Sequence, residues 1–408
     1  MLIKKRLGAS IVAVATVLAG AAHAAGDPIK IGYVAGLSGA CSGIAEDGLN
    51  GSKLAVEELN AKGGVLGRKL ELIIRDSRTK PDEGGKQARD LIASQKVDLL
   101  TGVCSSAVLL AVEAVAAEAN VPHYAIIGST QKVNVEAFHD NFWQIQPNAT
   151  MEAYAAAEYV AKNASWKRIA PMGFDYEWGH TSVDSFTERL KELRPDIKIA
   201  DPIYVKLGDT NMGTYIAPAL ASNPDAVYAA VFGGGLVNLI KQGQGFGLFQ
   251  RSNLITLLTV DALQSMGNAM PKDHLAGIAR APFFALEQTP KLKDVIDRYR
   301  KAYNEYPTDW AINGYDGIMI YAKAVEAAGA TDKKTLMPHV YGGKFDVLRG
   351  KGLTVRAFDG QMDAPSYVGA VNFDPAYPFP IMKDVQVFPG DSLMWSEQKI
   401  QALRNAAK

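Results

Sequence analysis

Groups able to do chemistry are scarce in this chain of 408 residues. There is no G-x-S-x-G nucleophile elbow, no H-E-x-x-H pair and no phosphate-binding P-loop. The six histidines, His23, His123, His139, His180, His274 and His339, are scattered without ligand spacing, so neither a metal site nor a cofactor is expected. Ser105 and Ser106 have no neighbouring base in the sequence. Gly233-Gly234-Gly235-Leu236-Val237-Asn238 imitates a dinucleotide fingerprint, but Asn238 stands where the third glycine belongs, and a tight turn is the better reading. An excess charge of either sign is missing too. Lys+Arg and Asp+Glu both number 43, which argues against a nucleic acid or an anionic membrane as partner. Cysteine is limited to Cys41 and Cys104; both fall in turns expected to follow neighbouring strands, so one bridge between them is plausible in an exported protein.

Long apolar runs are also lacking beyond the N-terminus. Lys4-Lys5-Arg6, the short apolar run Ile11 to Ala22 and the A-x-A site Ala22-His23-Ala24 read as a cleavable signal peptide over 1–24. The expectation is an exported chain in a bacterial periplasm. What remains is long enough for two hydrophobic cores.

Present throughout is an alternation of short apolar strands and amphipathic helices. Ile29 to Val34, Leu70 to Ile74, Val97 to Leu100 and His123 to Ile127 are predicted strands, separated by predicted helices. After Gln144-Ile145-Gln146-Pro147 the pattern restarts, with strands at Arg168 to Phe174, Ile199 to Val205, Ala226 to Phe232 and Leu254 to Leu258. This order predicts α/β architecture with two doubly wound parallel-sheet lobes. The remaining elements include a strand at Ile278 to Phe284, a long apolar helix at Trp310 to Ala328, and strands at Ser366 to Phe373 and Met382 to Phe388. They are too few for a third domain and are expected to complete both lobes. Crossovers are placed near Pro147, Ala276 to Pro282 and Arg356 to Asp363.

The stretch Val97 to Thr130 concentrates the polar signal. It reads strand, Cys104-Ser105-Ser106 turn, helix, strand, Gly128-Ser129-Thr130 turn. Two hydroxyl-rich turns at the carboxyl ends of neighbouring parallel strands suit a small carboxylate, because hydroxyls and helix-start N–H groups converge there. Across the chain, Asp261 follows a buried strand, where it would either pair with a ligand ammonium or cap a helix. Trp178, Phe232 and Tyr315 add apolar surface of the kind pockets use.

These residues resemble the periplasmic leucine/isoleucine/valine-binding family of ABC-transporter substrate-binding proteins. The segments LNGSKLAVEELNAKGGVLGRKLELIIRDS (49–77), GVCSSAVLLAVEAVAAEANVP and NGYDGIMIYAKAVEAAG (313–329) carry the resemblance. It implies a Venus flytrap of periplasmic binding fold type I with a three-strand hinge and no catalysis. The lobes would be 25–147 plus 279–357 and 148–278 plus 358–408. The partners implied are a small ligand and an inner-membrane ABC permease, with the chain a monomer. The resemblance assigns the ligand carboxylate to Ser105, with Ser106, Ser129 and Thr130 beside it and the Gly128 backbone adjacent. Trp178 would fold over the ligand, Asp261 would hold an α-ammonium, and Tyr315 would line the pocket. Phe232 stands where amino-acid binders often carry tyrosine, and Asp261 is shorter than the family's usual Glu. The implied ligand is a branched-chain or other apolar amino acid; aromatic acids, amides and urea are alternatives within the same class. An extracellular sensing module would use the same fold, and a nucleotide-dependent dehydrogenase is the competing enzyme reading.

Overall fold

The computed structural model describes residues 26–407; the signal peptide expected over 1–24 lies outside them. Five strands form the first sheet: β1 (Ile29–Ala35), β2 (Leu70–Asp76), β3 (Leu99–Thr101), β4 (His123–Ala125) and β5 (Phe142–Gln144). They are ordered β2-β1-β3-β4-β5 and all pair in parallel. β3 and β4 are neighbours, so the two serine turns do emerge side by side.

The second sheet begins with β6 (Arg168–Phe174), β7 (Lys198–Ile199), β8 (Ile203–Val205), β9 (Ala226–Ala230), β10 (Asn253–Leu257) and β11 (Leu275–Ala279). A small hairpin, β12 (Lys344–Val347) and β13 (Gly350–Thr354), stands apart. The sheet is finished by β14 (Ser366–Asn372) and β15 (Ile381–Phe388), in the order β15-β14-β11-β10-β9-β6-β7, with β8 also on β6. Here the expectation of a parallel sheet needs correction. β14 runs antiparallel to β11, and β15 antiparallel to β14. Between β14 and β15 the connection, 373–380, is too short to hold a crossover helix and joins antiparallel neighbours.

Two strand boundaries also shift for local reasons. The expected strand Ile199 to Val205 is broken at Pro202, which has no N–H to give to a ladder. The expected strand Ile278 to Phe284 ends at Ala279 instead. The backbone N–H groups of Arg280 and Ala281 turn to the buried carboxylate of Asp309, at 2.9 and 2.7 Å.

The chain passes between the sheets three times: after β5, after β11, and between β13 and β14. The third passage lies against the first sheet's edge, where Gln144 exchanges backbone hydrogen bonds with Gly360 and Met362. In the first lobe, helix Ser42–Ala61 packs on helix Asp309–Ala328 at very short range. A Cβ on Gly51 would sit 1.8 Å from the Ala311 carbonyl oxygen, and one on Gly314 2.1 Å from that of Gly48. Only glycine permits this approach. The C-terminal helix Glu397–Ala406 straps the lobes: Lys399 reaches Glu188, while Arg404 donates to the carbonyls of Val135 and Asn134.

Candidate functional site

Where the serine turns of the first lobe meet the second lobe, the side chains enclose an inner pocket. Its walls are Ile44, Ile127, Tyr176, Trp178, Phe232, Leu257 and Trp310, and its polar groups include Ser106, Ser129 and Arg280. The aromatic wall is self-supporting: the rings of Trp178 and Phe232 meet edge to face at 5.5 Å, and Phe174 backs Phe232 at 5.1 Å. Such edge-to-face pairs follow the ring quadrupoles and hold the wall in one shape. The cavity is about 20 Å³, room for about one water.

Arg280 governs the polar side. It is 2% exposed and lies just past β11, on the second crossover. Its Nε and Nη2 grip Glu152 at 2.5 and 3.0 Å, Nη1 donates to the Ile127 carbonyl at 2.7 Å, and Nη2 donates to Ser129 Oγ at 2.9 Å. The guanidinium also lies 4.8 Å from the Trp310 ring, a cation–π distance. A buried charge survives only when paired and hydrogen-bonded, and this one is. The signal for it was legible: a lone arginine at the end of the apolar run Leu275 to Ala281 must find a buried partner.

The sequence-predicted residues separate into three groups. Ser106, Ser129, Trp178 and Phe232 line the inner pocket. Trp178 stands on the first turn of helix Glu177–Leu193, which starts earlier than its apolar periodicity suggests. Ser105, Gly128 and Thr130 are buried in the two turns but serve the frame. Ser105 is the residue before helix Ser106–Glu118, Gly128 exchanges backbone bonds with Val103 and the Gln146 side chain, and Thr130 donates to Glu177 Oε1 at 2.8 Å. Glu177 also takes Lys132 at 2.8 Å, so this rim contact latches one lobe to the other. Tyr315 is not among the lining residues of the inner pocket; its hydroxyl donates to Glu58 Oε2 at 2.7 Å between the helices of the first lobe. Burial opposes the charge of Glu58, but hydrogen bonds from Lys291, Lys62 and Tyr315 outweigh it and hold the carboxyl at about 2.

Asp261 belongs to a second, outer space. A groove of about 1110 Å³ adjoins the inner pocket, sharing Ile44 and Phe232, and its lining includes Asp47, Asp261, Glu305 and Lys241. Asp261 Oδ1 accepts from Thr259 Oγ1 at 2.6 Å and from Trp310 Nε1 at 2.9 Å. It lies one residue inside helix Val260–Met266, whose N-cap is Thr259. Burial raises its carboxyl above the ordinary range. Asp47 is pushed up to about 7, by burial first and by the charge of Asp261 second.

The disulfide ties the two spaces together. Cys41 and Cys104 are bonded, with Cα atoms 6.3 Å apart, joining the loop before helix Ser42–Ala61 to the first serine turn. Among the described residues no cluster of His, Cys, Asp and Glu is arranged to hold a metal, and no helix is long and apolar enough to cross a membrane.

The family described as periplasmic binding protein matches residues 28–376. A curated relative, Leu/Ile/Val-binding protein homolog 7 of Brucella suis biovar 1, is 27% identical over 78% of this chain and 82% of its own. Among solved structures, a periplasmic binding protein from Burkholderia mallei superposes with TM-score 0.83 at 23% identity, covering 91% of this chain and 97% of that one. A solute binding protein of an ABC transporter from Rhodopseudomonas palustris BisB5, in complex with 3,4-dihydroxy benzoic acid, gives TM-score 0.78 at 21% identity, over 91% and 99%. At such identities the two structures speak for the fold. With the family match spanning most of the chain, the protein belongs to the periplasmic binding protein family, the solute-binding class of transport proteins.

Proposed function

We propose that this chain is the periplasmic solute-binding component of an ABC importer, capturing a small carboxylate with an apolar body by lobe closure. The observation that carries the reading is the inner pocket itself. Hydroxyls of Ser106 and Ser129 and the buried guanidinium of Arg280 stand at one end, under a wall of Trp178, Phe232 and Tyr176. Polar groups fix one end of a ligand while apolar walls receive the rest. The first lobe, 25–147 plus 279–357, offers the serine turns. The second, 148–278 plus 358–408, brings the aromatic wall. Closure is selected because the ligand touches both lobes only in the closed form. The closed monomer would then be read by an inner-membrane permease. The names of curated relatives support a solute-binding role, as does the placement of the pocket on the crossovers. The family is a class of substrate-binding proteins of transporters and not an enzyme class.

The test is a thermal-shift panel of apolar amino acids, 2-oxo acids, aromatic acids, amides and urea. A true ligand at 100 times its Kd raises stability by about 2.7 kcal/mol through mass action. A clear rise with small carboxylates is expected. A rise confined to uncharged amides or urea would overturn the carboxylate assignment.

A further inference from the structure

The two serine hydroxyls of the inner pocket each accept one hydrogen bond and still hold a hydrogen to give. Ser106 Oγ accepts from the Ser129 backbone N–H at 3.3 Å, and Ser129 Oγ accepts from Arg280 Nη2 at 2.9 Å. A hydroxyl that already accepts keeps its own hydrogen for another partner. Trp178 Nε1, a group that can only donate, is buried without a partner. Arg280 uses four of its five N–H bonds on Glu152, Ile127 and Ser129, leaving one on Nη1. On the acceptor side, both oxygens of Glu152 face Arg280, and the Ile127 carbonyl takes Nη1 of the same side chain. The phenol of Tyr176 is the remaining polar atom; it can give or take a hydrogen bond, and burial keeps it uncharged. Asp261 lines the outer groove and not the inner pocket, and its Oδ1 is bound to Thr259 and Trp310.

We infer that the inner pocket selects a monocarboxylate that carries no α-ammonium, a 2-oxo or aromatic acid in preference to an amino acid. This rests on the solute-binding reading above and sharpens it. The lining residues hold four unspent donors, which suits a group that only accepts, as an ionised carboxylate does. An ammonium beside that carboxylate would be buried with no anionic acceptor, and leaving a charge unpaired in such surroundings is costly. The charge of the ligand is not neutralised by a free cation, because Arg280 is already paired with Glu152. It is solvated instead by oriented hydroxyl, indole and guanidinium hydrogens, which need no reorganisation when the ligand arrives.

Calorimetric titration of the exported protein with two matched pairs decides this: 4-methyl-2-oxopentanoate against leucine, and phenylpyruvate against phenylalanine. The expected result is that at least one oxo acid binds on the order of a hundredfold tighter than its amino acid. Amino acids binding as tightly as the oxo acids, or more tightly, would overturn the inference and leave the solute-binding reading standing. Absence of binding in both pairs and with benzoate would overturn the reading itself, and the inference with it. Ser129→Ala supplies an independent arm. It deletes one donor from the wall and should weaken the oxo acid about tenfold; because it also takes a partner from Arg280 Nη2, affinity is compared at a temperature where the variant's own melt shows it folded. An undiminished affinity would overturn the donor assignment.

Discussion

The inner pocket and the outer groove share Ile44 and Phe232, yet they are built on opposite principles. The inner pocket is narrow, aromatic and lined by donors, with its one buried cation already neutralised by Glu152. The outer groove is wide and acidic; burial raises the carboxyls of both Asp47 and Asp261, with the charge of Asp261 adding to the first and that of Asp309 to the second. The difference teaches where selectivity resides. A pocket with no free anionic acceptor discriminates by leaving a ligand cation unpaired. A groove of about 1110 Å³ is too wide to hold a small ligand on all sides and discriminates less. On the proposed reading, ligand identity is decided inside and the groove would serve as the approach.

Breaking the inner pocket has the largest consequence. Arg280→Leu leaves Glu152 buried and unpaired, and a loss of about 4 kcal/mol is expected, read from the shift in denaturant midpoint. Next comes the bridge that joins the two regions. The paired substitution Cys41→Ser with Cys104→Ser frees a loop of 63 residues and should cost about 3 kcal/mol, by the same measurement.

The outer groove offers a smaller effect with a distinctive pH signature. The folded carboxyl of Asp47 lies at about 7, above its ordinary value, so the folded state keeps this proton after the unfolded chain has released it. Stability then falls as pH rises from about 4 to about 7. Asp47→Asn removes that slope. The variant should exceed the native protein by on the order of 2 kcal/mol at pH 8 and lose its advantage near pH 4, as thermal melts across that range will show. Smallest of all is the rim latch. Lys132 is 40% exposed in its pair with Glu177, and Glu177→Gln should change stability by less than about 1 kcal/mol.

Much of the fold could be read before any coordinates. β6 falls where its apolar run placed it, and the β3 and β4 turns emerge as neighbours, because strand and helix periods are local properties of the chain. The antiparallel end of the second sheet was not legible, since pairing partners distant in sequence leave no local mark. The site divides along the same line. Ser106 and Ser129 were found because turns after strands are encoded nearby. The place of Tyr315 was not legible, because its hydroxyl's partner is Glu58, 257 residues away in the chain. Arg280, alone in an apolar run, signals a buried partner, but nothing local says that the partner is Glu152, 128 residues away.

The carboxylate is the centre of the account, and one titration addresses it most directly: benzoate against benzamide, by calorimetry on the same preparation. These ligands share a ring and differ only at the group that would face Ser106, Ser129 and Arg280. The account predicts one-to-one binding of the carboxylate at least about tenfold tighter than the amide, since hydrogen bonds to a charged acceptor are roughly twice as strong as neutral ones. Equal or tighter binding of the amide would contradict it.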